Sequence, residues 1–178
     1  MEVTSGGPLM ASPGANRSVT HMKQTAHSPS PFARVAQIGV IVRDLEAATA
    51  FYEALGLGPF KMSAGAAPIV DREVYGKAAP DVKNRIATTR LGEVELELVQ
   101  PVSGASMQRE FLERHGEGVN HLGFVVEDLE EEVSKLVAKG FRLVSRGKVQ
   151  GGGAFVYLDT DRVGGVIFEL MQVSDATP

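Results

Sequence analysis

The chain has 178 residues, enough for one sizeable core or for two small modules sharing an interface. Hydrophobic residues make up 43% and charged residues 22%, the balance of a folding globular chain, and the net charge of −4 leaves no basic excess to neutralise phosphates, which argues against a nucleic-acid partner. There is no cysteine, hence no disulfide, thiolate metal site or cysteine nucleophile, and this fits a cytoplasmic setting; no apolar run approaches the ~20 residues of a membrane span and the N-terminus lacks the apolar stretch of a secretory signal.

Residues 1–31 are rich in Gly, Ser, Pro, Thr and Ala and show no periodicity, the composition of a disordered tail; His21 and His27 are solvated residues within it. Structure is expected from about Phe32. VAQIGVIV (35–42) is β-branched and apolar and predicts a strand. Asp44 is an N-cap for a helix whose apolar face holds Leu45, Ala48, Phe51, Tyr52 and Leu55, and Gly56 stops it. Strand character returns around Pro68–Tyr75. RIATTRLGEVELELVQP (85–101) predicts a hairpin with its turn near Gly92 and Glu93, ended by Pro101. SMQREFLERHG (106–116) predicts a short helix closed by glycine.

The second half repeats the first. VNHLGFVVEDLE (119–130) aligns with VAQIGVIVRDLE (35–46) at six of twelve positions, and VGGVIFELMQ (163–172) with LGEVELELVQ (91–100) at five of ten. Two matches in the same order indicate an internal duplication. Each unit reads strand, helix, then three strands: an α+β fold of two tandem βαβββ modules, 34–101 and 118–173, joined by the 106–116 helix, their sheets curling around one cleft. The folded region spans 34–173.

The duplication puts Gln37 and His121 at one position of the two first strands, and Glu97 and Glu169 at one position of the two last strands. Equivalent positions in equivalent strands point the same way. If the modules pair about a pseudo-twofold axis, the four converge. Two carboxylates, an imidazole and an amide oxygen suit a divalent ion such as Zn, Co, Ni, Mn or Fe without selecting among them. Glu93, Glu95 and Glu97 share one face of GEVELELV, as a solvated strand face would. Glu169 lies amid apolar residues in VIFELM, where an unpaired carboxylate is costly and a metal would offset the cost. Gly151, Gly152 and Gly153 precede a strand, and Gly152 and Gly153 are candidates for close approach to a substrate. Arg72, Lys77, Lys83, Arg85 and Lys148 are candidate contacts for substrate phosphates.

The repeated strand–Asp-Leu-Glu–helix–Gly unit, with Glu-Leu near the end of each module, resembles the vicinal oxygen chelate superfamily, which includes glyoxalases, extradiol dioxygenases and antibiotic-resistance proteins. GEGVNHLGFVVEDLE, GGGAFVYLDT and GGVIFELMQ are most similar to methylmalonyl-CoA epimerase-type members. The resemblance implies Gln37, Glu97, His121 and Glu169 as metal ligands, with Gln37 where many members carry His. It also implies a homodimer, and proton transfer alpha to a metal-bound carbonyl, with Glu169 both ligand and base. A second base is implied near Asn84 or Arg85, neither of which is a carboxylate; Glu73 and Asp81 lie nearby. The expected function is therefore a metal-dependent isomerase, epimerase or lyase acting on an acyl-CoA or related small substrate. The alternatives are a non-enzymatic protein that binds and sequesters a small molecule such as an antibiotic, and an iron-dependent dioxygenase, for which a single histidine ligand is too few.

Overall fold

The computed structural model describes residues 30–63 and 68–173; most of the tail expected from composition, residues 1–29, lies outside them. The first repeat contributes β1 (Gln37–Ile41), α1 (Leu45–Ala54), β2 (Lys61–Met62), β5 (Lys83–Leu91) and β6 (Val94–Ser103), with the hairpin β3 (Ile69–Val74) and β4 (Lys77–Ala78) between β2 and β5. After α2 (Met107–His115) the second repeat supplies β7 (Gly118–Val125), α3 (Leu129–Ala138), β8 (Leu143–Val149), β9 (Ala154–Leu158) and β10 (Ile167–Gln172). The ten strands of the described residues form one sheet in the order β2-β5-β6-β1-β7-β10-β9-β8-β3-β4. Among the described residues no helix is long and apolar enough to cross a membrane.

The duplicated sequence produces duplicated local structure. Asp44 accepts from the Ala47 N–H and Asp128 from the Glu131 N–H, both at 2.9 Å, so each helix start is capped by its own Asp-Leu-Glu aspartate. Gly56 and Gly140 leave the helices at φ 87° and 91°, the left-handed conformation glycine adopts without penalty. Each helix lies on the same face of the sheet. Leu45, Ala48 and Tyr52 pack with Val40, Leu96 and Leu98 in the first module; Leu129, Val133 and Leu136 pack with Phe124, Val156 and Leu170 in the second. Phe32 closes the second core, its ring edge-on to Phe124 at 5.1 Å.

Three expectations need correction. Phe51 and Leu55 are 63% and 65% exposed, so the apolar face of α1 is wider than the sheet it covers. Pro101 does not end its strand: β6 runs on to Ser103, with the proline opposite Asn84 beside a register shift that relieves the missing N–H. The strand around 69–74 does not belong to its own module's sheet edge. The hairpin of β3 and β4 crosses to pair with β8 of the second module, and the short β2 takes the edge beside β5.

Candidate active site

The two first strands, β1 and β7, run antiparallel at the centre of the sheet, and each lies parallel to its own module's last strand. The register is symmetric. Gly39 faces His121 across the central pair and Glu97 on the other side; Gly123 faces Gln37 and Glu169. Both glycines are repeat-equivalent and both leave space for a site residue. A Cβ at Gly39 would lie 1.8 Å from Cε1 and 2.1 Å from Nε2 of His121; one at Gly123 would lie 3.0 Å from Gln37 Cβ.

The result is that all four residues meet at one atom. His121 Nε2 stands 3.3 Å from Gln37 Oε1, 3.3 Å from Glu97 Oε2 and 3.4 Å from Glu169 Oε2. His121 is fully buried, and Gln37 and Glu169 nearly so. Two residues absent from the expected set hold the group in place. Glu95 accepts from the Gln37 side-chain amide at 2.8 Å, which turns the amide oxygen toward the imidazole. Asn120 Oδ1 lies 3.4 Å from His121 Nδ1, beside a register shift in β7. The Glu-x-Glu alternation carried a trace of Glu95, whereas nothing local in the sequence marks Asn120.

The charges in this cluster are arranged for a cation. If the His121 proton sits on Nδ1, facing the acceptor oxygen of Asn120, then Nε2 turns a lone pair toward three oxygens. If Nε2 carries a proton, one N–H serves only one of the three. Glu169 Oε2 is buried with no hydrogen-bond partner among the described residues. Burial works against a charged His121, but Glu97 and Glu169 outweigh it and raise its pKa. Burial pushes the Glu169 carboxyl up to about 7; the nearby His121 pulls it down, and the Glu97 charge pushes it further up. As they stand, no three His, Cys, Asp or Glu side chains among the described residues form a ready-made ion cage. The donors nonetheless fit a divalent ion by type, by convergence, and by the orphaned oxygen that an ion would satisfy.

Beside the cluster is a cavity of about 140 Å³, lined by Glu97 and Glu169 together with Arg72, Asn84, Gln108, Phe155 and Tyr157. Tyr157 stays protonated: burial, then the charges of Glu169 and Glu97, raise its pKa well above the ordinary 10. Where a second base was expected, Asn84 lines the cavity, while Arg85 turns outward to pair with Glu46. Glu73 and Asp81 are exposed. Of the basic residues singled out, Arg72 alone lines this cavity; Lys148 pairs with Asp71 at 3.5 Å, and Lys77 and Lys83 are exposed. Gly152 and Gly153 lie in the turn between β8 and β9 and are not among the residues lining the cavity.

Residues 36–157 match the profile of the Glyoxalase/Bleomycin resistance protein/Dioxygenase superfamily. The chain belongs to that superfamily. The chain is 28% identical over 142 residues to YqjC, an uncharacterized protein of Bacillus subtilis, covering 78% of this chain and 91% of that one. A hypothetical protein from Bacillus halodurans superposes with a TM-score of 0.60 at 22% identity, covering 82% of this chain and 97% of its own. Methylmalonyl-CoA epimerase from Mycobacterium tuberculosis gives 0.57 at 21% identity, covering 83% and 93%. The Streptomyces coelicolor methylmalonyl-CoA epimerase, in complex with 2-nitronate-propionyl-CoA, gives 0.54 at 24% identity, covering 79% and 97%. These structural likenesses establish the curled superfamily fold.

Proposed function

We propose that this superfamily member is a metal-dependent isomerase or epimerase that moves a proton on the carbon beside a substrate carbonyl, with Gln37, Glu97, His121 and Glu169 as metal ligands and Glu169 as base. The observation that carries the proposal is the convergence of three acceptor oxygens, each 3.3–3.4 Å from one buried imidazole nitrogen, with Glu169 Oε2 making no hydrogen bond among the described residues. A divalent ion held there would polarise a substrate carbonyl and acidify the adjacent C–H.

The remaining work falls to the chain's own groups. Glu169, a buried carboxylate on the cavity wall, is the group placed to accept the carbon-bound proton and to give it back. The protonated Tyr157 beside it acts as a hydrogen-bond donor and does not compete for the proton. Asn84 cannot serve as a base, so return of the proton falls to Glu169 itself or to Glu97, the other carboxylate on the cavity wall. An acyl-CoA or related small substrate is supported by the structural likeness to methylmalonyl-CoA epimerases.

Replacement of single ligands separates the roles. Glu169→Gln keeps an oxygen donor and removes the base: metal content should stay near that of the parent chain while turnover falls by roughly a hundredfold or more. His121→Ala should lose metal first. Retention of both full metal content and full turnover by the two variants would place the chemistry elsewhere.

A further inference from the structure

Arg72 stands apart from the other basic residues near the cavity. Its strand, β3, pairs regularly with β8 at Ile69 and Val70, breaks register, and resumes at Glu73. Asp71, inside the break, has a φ of 51°, a left-handed conformation that aspartate tolerates better than most residues. Bulges of this kind re-aim a side chain. Here Arg72 is turned onto the cavity wall, with its guanidinium carbon 5.5 Å from the centre of the Phe155 ring. Gly147 leaves the room that Phe155 needs, since a Cβ there would lie 2.7 Å from the ring. Among the described residues Arg72 has no carboxylate within ion-pair distance, although Arg85, Arg142, Arg146 and Arg162 each have one. Its Nε is buried with no hydrogen-bond partner among the described residues. A second orphan shares the cavity: Asn84 Oδ1, an acceptor, is also buried and unpaired.

We infer that the hairpin of β3 and β4 supplies an anion subsite to the cavity, in which Arg72 binds the carboxylate of a small acid and Asn84 Oδ1 accepts from a hydroxyl on the same molecule. Nε and a terminal nitrogen of a guanidinium form a planar fork that matches the two oxygens of a carboxylate. Phe155 holds the fork flat against one wall. Asn84 Oδ1 adds a demand for a donor, which a plain carboxylic acid lacks and a hydroxy acid has. The subsite takes the cavity beside Glu97 and Glu169 as the substrate site, as proposed above, and it narrows the substrate to molecules carrying both groups.

The test uses the full chain stripped of metal with chelator, so that it does not depend on the metal proposal. Binding of lactate, lactamide, propionate and inorganic phosphate is followed by the NMR shifts of cavity residues. Lactate should bind, lactamide and propionate should each be roughly tenfold weaker or worse, and phosphate should be weaker than lactate. Arg72→Gln should abolish the preference for lactate over lactamide, and Arg72→Lys should restore it only in part, because an ammonium lacks the fork. Asn84→Ala should abolish the preference for lactate over propionate. Melting temperatures of the Arg72 variants should stay close to the parent, since Arg72 makes no ion pair among the described residues and the variants give up only its contact with the Phe155 ring. Lactamide binding as tightly as lactate, a preference that survives Arg72→Gln, or phosphate as the tightest probe would each overturn the carboxylate subsite. Failure here with metal binding intact would leave the metal proposal standing; success in a chain that binds no metal would do the reverse.

Discussion

A single methyl group added at position 39 would occupy space now held by the His121 ring, at 1.8–2.3 Å from three of its atoms. The imidazole is fully buried and cannot swing away without displacing Gln37, Glu97 or Glu169. Gly39→Ala should therefore destabilise the chain by about 1–3 kcal/mol, the cost of overpacking a core, and weaken metal binding as His121 is displaced. At the equivalent Gly123 the nearest clash is with Met171 Cε at 2.7 Å, the end of a flexible side chain, so Gly123→Ala should cost less. Urea melts and metal content of the two variants check this; equal effects would show that the glycines do not act through the site. At this scale the sequence was informative where the duplication spoke. The four converging residues, Glu169 among them, sit at repeated positions; Gly39 and Gly123 repeat as well, but only the structure shows the room they leave. Asn120 and Tyr157 were not recoverable as site residues, and Arg72 stood among five basic candidates that local pattern could not separate, because strand register and a bulge set Asn120 beside His121 and bring Tyr157 and Arg72 to the cavity.

The elements show how a duplicated pattern is read twice by the same physics. Each module's last strand carries a glutamine whose side chain reaches back to the start of its helix. Gln100 accepts from the Leu45 N–H at 3.3 Å and Gln172 from the Leu129 N–H at 3.2 Å. This satisfies a backbone donor that the first helical turn leaves open, and it ties helix to sheet. Gln172→Ala should cost about 1 kcal/mol in a urea melt, as loss of a cap does, and Gln100→Ala should cost about the same. A difference between the two well beyond that size would mean the glutamines do not play matching roles. The strands and helices themselves were legible from periodicity and capping residues. The partner of β3 was not: its alternation marks a strand but carries no information about which module's edge it joins. The extension of β6 past Pro101 was hidden for a similar reason, since proline is tolerated where the ladder is already broken.

At the scale of the whole molecule, duplication creates a near-twofold frame and substitution then breaks its symmetry. The frame sets Gln37 against His121 and Glu97 against Glu169 across one central strand pair. A Gln and a His at equivalent points leave the site with one imidazole and three oxygen donors, a set suited to Lewis-acid chemistry and poor for iron-dependent oxygenation, which favours two imidazoles. The hairpin of β3 and β4, present in the first module alone, adds Arg72 to one side of the cavity. The most direct test of the central claim is X-ray absorption at the edge of the metal retained by the full chain purified without chelator. One ion per chain is expected, with one imidazole nitrogen and oxygen donors at about 2.0–2.2 Å, and a signal that disappears in His121→Ala. No retained ion, a shell with two or more imidazoles, or a shell unchanged in His121→Ala would contradict it.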